Sequence, residues 1–329
     1  MSKEAILDII IHSPFPRNTT QGNTVTADRL EQILTEDDYN IRMSAVDYNG
    51  PPAKCLIALN AWRSADMVKA YRAFYPKGKV IIIITGSDIN NPDILDEHST
   101  TRKTMATADA LVMLHDIELP RLPKDLQQKC HVIHPSVALP GNITHQPTAN
   151  NGFEAIMSGN LRPVKNPYLP ISAARLLPTL PESSGIHISS YGSTSGEIKK
   201  AVISASDELD NYQWRGQLPH GKMLHQMQHA HVLLNTSIGE GGANAICEAI
   251  TMGLPVIASN IKGNKGMLGP DYAGYFPDGD EKALSAFLVM VATNRPFYEM
   301  LKEQIKKRAP LFTYAHESAQ WLKLVKSII

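Results

Sequence analysis

VLLNTSIGEGGANAICEAITMGLPVIAS, residues 232–259, decides how the rest of the chain is read. Val232 to Leu234 is a short apolar run of the kind a buried strand requires. Asn235, Thr236 and Ser237 end it with side chains suited to a turn. Beyond Glu240, Gly241 and Gly242, the stretch Ala243 to Met252 sets Ala245, Ile246, Ala249 and Ile250 along one side of a helix. Gly253 stands where a helix closes in the left-handed conformation, and Pro255 follows it. Val256 to Ala258 reads as a second buried strand. Strand, glycine turn, helix and parallel strand make the unit of an open α/β sheet, whose ligands bind beyond the carboxyl ends of the strands. The turn at 238–243 lies there. Its glycines allow the backbone close to a ligand, and the helix start, with Ala243 and Asn244, offers N–H groups to an anion.

Two carboxylates flank that turn, Glu240 before the helix and Glu248 two turns inside it. The plainer reading is one acid favoured by the helix dipole and one solvated acid on the helix face. The sharper reading is that both enter a cleft and accept hydrogen bonds from sugar hydroxyls.

At 329 residues the chain exceeds one ordinary core, so two domains are predicted. Hydrophobic content of 43%, charged content of 19% and a net charge of +0 describe an ordinary globular protein. That balance gives no electrostatic reason to expect nucleic acid or a membrane surface as a partner. The three cysteines, Cys55, Cys130 and Cys247, have no paired spacing and fit reduced thiols in the cytoplasm. No stretch reaches membrane-spanning length, and the N-terminus reads as a first strand.

In the N-terminal half, Ala5 to Ile11 is the first strand. Arg17 to Thr26 reads as a polar loop, with a helix following over Ala27 to Leu34. Gly22, Asn23 and Thr26 would supply small donors to an anion or a sugar; the plainer alternative is an ordinary surface loop. Cys55 to Leu59 is a strand that leads into Asn60, Trp62, Arg63 and Ser64. Val80 to Ile84 is a fully apolar run, as a central parallel strand needs, and it leads into Thr85 and Gly86. His115 and His134 end later strands, where an ordinary histidine is as good a reading as a base. The stretch 138–152 is rich in Pro, Gly, Asn and Thr and marks a boundary, giving domains over 1–145 and 146–312.

In the C-terminal half, Gly159 to Pro167 places Arg162 and Lys165 right after a strand. They suit a solvated basic loop or, more sharply, the neutralisation of a diphosphate leaving group. No metal is assigned to that task. Residues 212–218 carry Arg215 and Gly216. The final stretch is an amphipathic helix, assigned to 313–329.

Glu240 to Glu248 resembles the E-x7-E signature of the GT-B glycosyltransferases of the glycogen-synthase-like group. The resemblance implies an α/β fold of two Rossmann-like parallel-sheet domains facing across a cleft, with the last helix crossing back to the first domain. It implies that Glu240 meets the donor sugar, that Glu248 binds the ribose, and that Gly241, Gly242, Ala243 and Asn244 line the donor site. Arg215 and Gly216 would lie near the base. Lys165 keeps the family's offset, whereas Asn160 occupies the usual arginine position and Arg162 stands two residues later.

A narrower resemblance spans most of the chain. QGNTVTADR at 21–29, ITGSDI at 84–89, GNLRPVKNP at 159–167, GEGGANAICEAI at 239–250, PVIASNIKGNKGMLGPDYAGYFPDGD at 255–280 and RAPLF at 308–312 resemble the selenosugar synthases of selenoneine biosynthesis. The resemblance implies transfer of a hexose from UDP-N-acetylglucosamine or UDP-glucose to selenophosphate. The UDP-sugar would be a substrate, with no cofactor and no metal, and Lys165, Glu240 and Arg162 would be catalytic. Gly22, Asn23, Thr26, Arg63, Thr85 and Gly86 would receive the acceptor. Transfer to a hydroxyl acceptor, or a silent UDP-sugar sensor, would use the same donor residues.

Overall fold

The computed structural model describes residues 7–17, 22–44, 53–141, 143–148 and 152–329. It divides into two compact units, residues 1–135 with 314–329, and residues 136–313. The division falls ten residues before the boundary read from composition. The backbone of His145, Gln146 and Thr148 donates to Met252, Gln228 and His229, which ties the glycine- and proline-rich stretch to the second unit.

The first unit is a parallel sheet of β1 (Leu7–His12), β2 (Ile41–Ser44), β3 (Ala53–Leu59), β4 (Lys79–Ile83), β5 (Ala110–Met113) and β6 (Cys130–Val132), in the order β2-β1-β3-β4-β5-β6. Its central strands are buried on both faces. Leu56, Ala58, Val80 and Ile82 pack into one apolar cluster with Met67, Val68 and Tyr71 of helix Ala65–Phe74. Cys55, Ile57, Ile81 and Ile83 pack into another with Ala27, Leu30 and Leu34. The C-terminal helix, Tyr314–Ile328, belongs to that second face. It adds Trp321, Leu324 and Val325, and its Glu317 pairs with Arg29 Nε at 2.8 Å.

Residues 22–26 are not a loop. The helix read as starting at Ala27 runs over Gly22–Thr35, so Gly22, Asn23 and Thr26 occupy its first turns. Thr24, 1% exposed, takes the inward position three residues before Ala27. A threonine at a core-facing position hides the helical period from a reading that looks for apolar residues. The adjoining residues 18–21 of the expected loop, and Ala5 and Ile6 of the expected first strand, lie outside the described residues.

The second unit is also a parallel sheet: β7 (Phe153–Ser158), β8 (Ile186–Tyr191), β9 (Tyr212–Trp214), β10 (Val232–Asn235), β11 (Val256–Ser259) and β12 (Tyr275–Phe276). The order is β12-β11-β10-β7-β8-β9. The deciding stretch forms as its signals direct. β10 leads through the turn into helix Asn244–Met252, which Gly253 closes at φ 81°, and β11 follows.

Candidate active site

Topology brings two loops of the second unit together. Its sheet reverses between β7 and β10, with β8 and β9 on one side and β11 and β12 on the other. A crevice opens beyond the carboxyl ends at such a reversal. The loop after β7 ends in the single turn Pro163–Lys165, and the loop after β10 runs through 236–243. The two are stitched together. Thr236 Oγ1 donates to the Lys165 carbonyl at 2.8 Å, and the Ile238 N–H donates to the Val164 carbonyl at 2.9 Å.

The stitching sets Lys165 Nζ against Glu240 Oε1 as an ion pair. The same oxygen accepts from Ser237 Oγ at 2.6 Å. Glu240 is 9% exposed, so its carboxylate depends on these partners for its charge to be tolerated. Behind it sits a buried polar network. Asn264 Nδ2 donates to the Ser259 carbonyl at 2.9 Å and to Ser259 Oγ at 3.0 Å, while the Ser237 carbonyl accepts from Ser259 Oγ. Gly263 is the close approach: a Cβ built there would lie 2.4 Å from the Glu240 carbonyl oxygen and 2.7 Å from its Cβ.

Glu248 points out of helix Asn244–Met252 and is 7% exposed. Its Oε1 takes a hydrogen bond from His220 Nε2 at 2.8 Å, and that bond raises the histidine's pKa. His220 opens helix His220–His229. It was missed by the sequence reading because nothing in a lone histidine after a proline points to an acid 28 residues later. Gly241, Gly242, Ala243 and Asn244 line the start of the Glu248 helix, whose first N–H groups have no partner within the helix. Gly241 and Gly242 lie outside the left-handed region.

Arg162 is exposed, and among the described residues its side chain has no hydrogen-bond or ion-pair partner. Arg215 and Gly216 follow β9, with β8 between them and β7. The Arg215 N–H donates to the Ser190 carbonyl, and the Gly216 carbonyl accepts from Gly192. Neither reaches the two carboxylates. Asp278 and Asp280 have the spacing of a metal-binding pair, but the Asp280 side chain caps helix Glu281–Thr293, accepting from the Ala283 N–H at 2.8 Å. Among the described residues no three His, Cys, Asp or Glu side chains gather as a metal site. An ammonium beside a carboxylate, next to a helix start, can meet a ligand that carries both phosphate and hydroxyl groups.

The remaining sequence-derived residues lie in the first unit. Asn60 Nδ2 donates to Thr85 Oγ1 at 2.7 Å and to Ser87 Oγ at 2.6 Å. Asp88 is fully buried and accepts from the N–H groups of Ala61, Trp62 and Thr85 and from Thr85 Oγ1. Burial raises its pKa against those hydrogen bonds. Thr85 thus engages its hydroxyl and its N–H with Asn60 and Asp88. Gly86 begins the single helical turn Gly86–Ile89. His115 is 2% exposed, and burial pushes its pKa down to about 4, which keeps it neutral.

Residues 143–308, half of the chain, match the family described as glycosyl transferases group 1. The amylovoran biosynthesis glycosyltransferase AmsK of Erwinia amylovora is 23% identical over 231 residues, 66% of this chain and 56% of that protein. The chain thus spans about half the length of the curated relative it matches. Sucrose-phosphate synthase from Thermosynechococcus elongatus superposes with a TM-score of 0.80 at 14% identity, over 98% of each chain. Anabaena HepE, in a complex with UDP and glucose, gives 0.74 at 12% identity, over 98% of this chain and 100% of that one. TarM of S. aureus, in a complex that includes alpha-GlcNAc-glycerol and UDP, gives 0.62 at 15% identity, over 83% of this chain and 55% of that one. These likenesses assign the two parallel-sheet units to the GT-B fold.

Proposed function

Because the chain belongs to the group 1 glycosyl transferases, we propose that it moves a hexose from a UDP-sugar to selenophosphate, through a donor site built on Lys165, Glu240 and Glu248. The Lys165–Glu240 pair carries this reading. In the proposed complex the diphosphate takes Lys165, Arg162 and the helix start at Gly241 to Asn244. The sugar hydroxyls donate to Glu240, and the ribose donates to Glu248. Arg215 and Gly216 lie toward the base. Charge developing on the leaving UDP is then met by fixed donors, without a metal. UDP and glucose in HepE, at the same fold, support the choice of nucleotide.

The selenophosphate acceptor rests on the resemblance of the motifs at 21–29, 84–89 and 255–280 to selenosugar synthases. Selenium attacks the anomeric carbon, the bond from that carbon to the UDP oxygen breaks, and UDP departs. Water then cleaves the selenium–phosphorus bond, giving a 1-selenosugar and phosphate. An anionic nucleophile needs no base, only donors and positive charge, for which Gly22, Asn23, Thr26, Arg63, Thr85 and Gly86 are proposed. Transfer to a hydroxyl acceptor is the second reading, favoured by the TarM complex that includes alpha-GlcNAc-glycerol and UDP.

The test is incubation with UDP-N-acetylglucosamine or UDP-glucose and selenophosphate, with and without EDTA, followed by mass spectrometry. UDP and a selenosugar are expected in both. An oxygen-linked product alone would transfer the conclusion to the second reading. Complete loss on chelation, restored by Mg²⁺, would refute metal independence.

A further inference from the structure

The first unit has a reversal of its own. Its strand order turns between β1 and β3, the other place where an open parallel sheet leaves a crevice for a ligand. Phe15 lies just past β1, and Asn60, Trp62 and Arg63 lie just past β3. We infer that Arg63, stacked against Phe15 and Trp62, is the oxyanion-binding group of a small-ligand site at this reversal, and that the site takes a tetrahedral, phosphate-like anion. The inference rests on the proposed function only where it names the anion as the acceptor.

Position is the first argument, and the state of the charge is the second. Arg17 is paired with Asp28 and Glu31, Arg29 with Glu317, Arg72 with Asp109 and Arg102 with Asp125. Arg63, exposed, has no carboxylate within ion-pair distance among the described residues. Its guanidinium carbon instead lies 4.8 Å from the Trp62 ring centre and 5.4 Å from that of Phe15. Rings against a guanidinium restrain its plane and leave its edge donors unused. That edge is a fork matched to two oxygens of a phosphate or carboxylate.

Rigidity is the third. The Arg63 N–H donates to Asn60 Oδ1 at 2.7 Å. Asn60 is fully buried at φ 70°, a left-handed conformation that a side chain seldom adopts without surroundings that enforce it. Those surroundings are the hydroxyls of Thr85 and Ser87, which hold its amide, and Asp88, which holds the Ala61 and Trp62 N–H groups. The base of the arginine is thus set before any ligand arrives, which lowers the ordering entropy that binding must overcome.

Inorganic phosphate is the probe, titrated by calorimetry into the full chain already saturated with UDP, so that the donor site is closed to it. The wild type is expected to bind phosphate. Arg63→Met should weaken that binding by about tenfold or more, the loss of hydrogen bonds to a charged group, with UDP affinity and melting temperature unchanged. Arg63→Lys, which keeps the charge and removes the fork, should fall in between. Absence of phosphate binding in the wild type, or equal phosphate affinity in Arg63→Met, would overturn the site. So would a parallel loss of UDP affinity or of melting temperature, since it would make Arg63 a prop of the fold. If phosphate binding depends on Arg63 while selenophosphate yields no selenosugar, the oxyanion site stands and the acceptor's identity falls.

Discussion

Past β7 and β10 an ammonium is locked to a carboxylate; past β1 and β3 a guanidinium is faced by two rings and, among the described residues, by no acid. Both cations stand at the reversal of a parallel sheet, and the sheets treat them oppositely. Lys165 and Glu240 form an ion pair of opposite charges, and the Ser237 hydroxyl donates to the same carboxylate oxygen. A pair of that kind suits a ligand with both an anionic and a neutral polar end. Arg63 keeps its full charge, because a ring face attracts a cation without neutralising it. That arrangement suits a compact anion. The difference lies in which residues the tertiary fold brings up to the cation, since each cation follows its strand in much the same way.

The largest effect is expected where the compensated cation is removed. Lys165→Met leaves Glu240, with 10% of its side chain exposed, without its ammonium, and breaking a buried pair costs about 3 kcal/mol or more. Arg63→Met removes no partner of a buried charge and should stay within about 0.5 kcal/mol of the wild type. Urea midpoints of the two variants decide. Equal shifts would mean that the two cations do not differ in the way described.

Acid should come next. His115 at the end of β5 is buried and neutral, with its pKa depressed from 6.5 to about 4. Between those values the unfolded chain binds the proton that the folded one refuses, so stability falls as pH drops from about 6.5 toward 4 and this group adds no further loss below. The full contribution is on the order of 3 kcal/mol. His145 in the second unit is lowered to about 4 by the same cause, so both units should weaken in the same window. Melting curves at pH 7, 5.5 and 4.5 test this, and His115→Gln should flatten the part that belongs to the first unit. A wild-type curve with no slope there would show that His115 titrates normally.

The smallest effect probes the turn itself. Gly263→Ala would set a methyl 2.4 Å from the Glu240 carbonyl, and since backbone cannot swing aside cheaply, a cost of about 1–3 kcal/mol is expected. Because Glu248 is held separately by His220, UDP affinity should survive while transfer falls. Loss of both to the same degree would join the two acids into one element.

Much of the second sheet was legible because its signals are local. An apolar run, a polar turn, a helical period, a glycine and a proline follow one another between Val232 and Ser259, and each acts through its own neighbours. The start of helix Gly22–Thr35 was not legible, because Thr24 fills an inward position that only the surrounding core reveals as inward. The partners of Thr85 were hidden for a related reason. A hydroxyl at a strand's carboxyl end looks available until Asn60 and Asp88, met in space, are seen to occupy it.

What the sequence determined by itself is therefore the kind of fold and the spacing of the two acids on their turn and helix, since periodicity and turn chemistry are short-range properties. Which group answers each acid was decided only in three dimensions. Lys165 lies 75 residues before Glu240 and His220 lies 28 before Glu248. Phe15 reaches Arg63 from a different strand, and no local preference encodes such a meeting. These pairs exist because parallel strands deliver their carboxyl ends to one edge of a sheet, and strand order, a property of the packed core, settles which ends become neighbours.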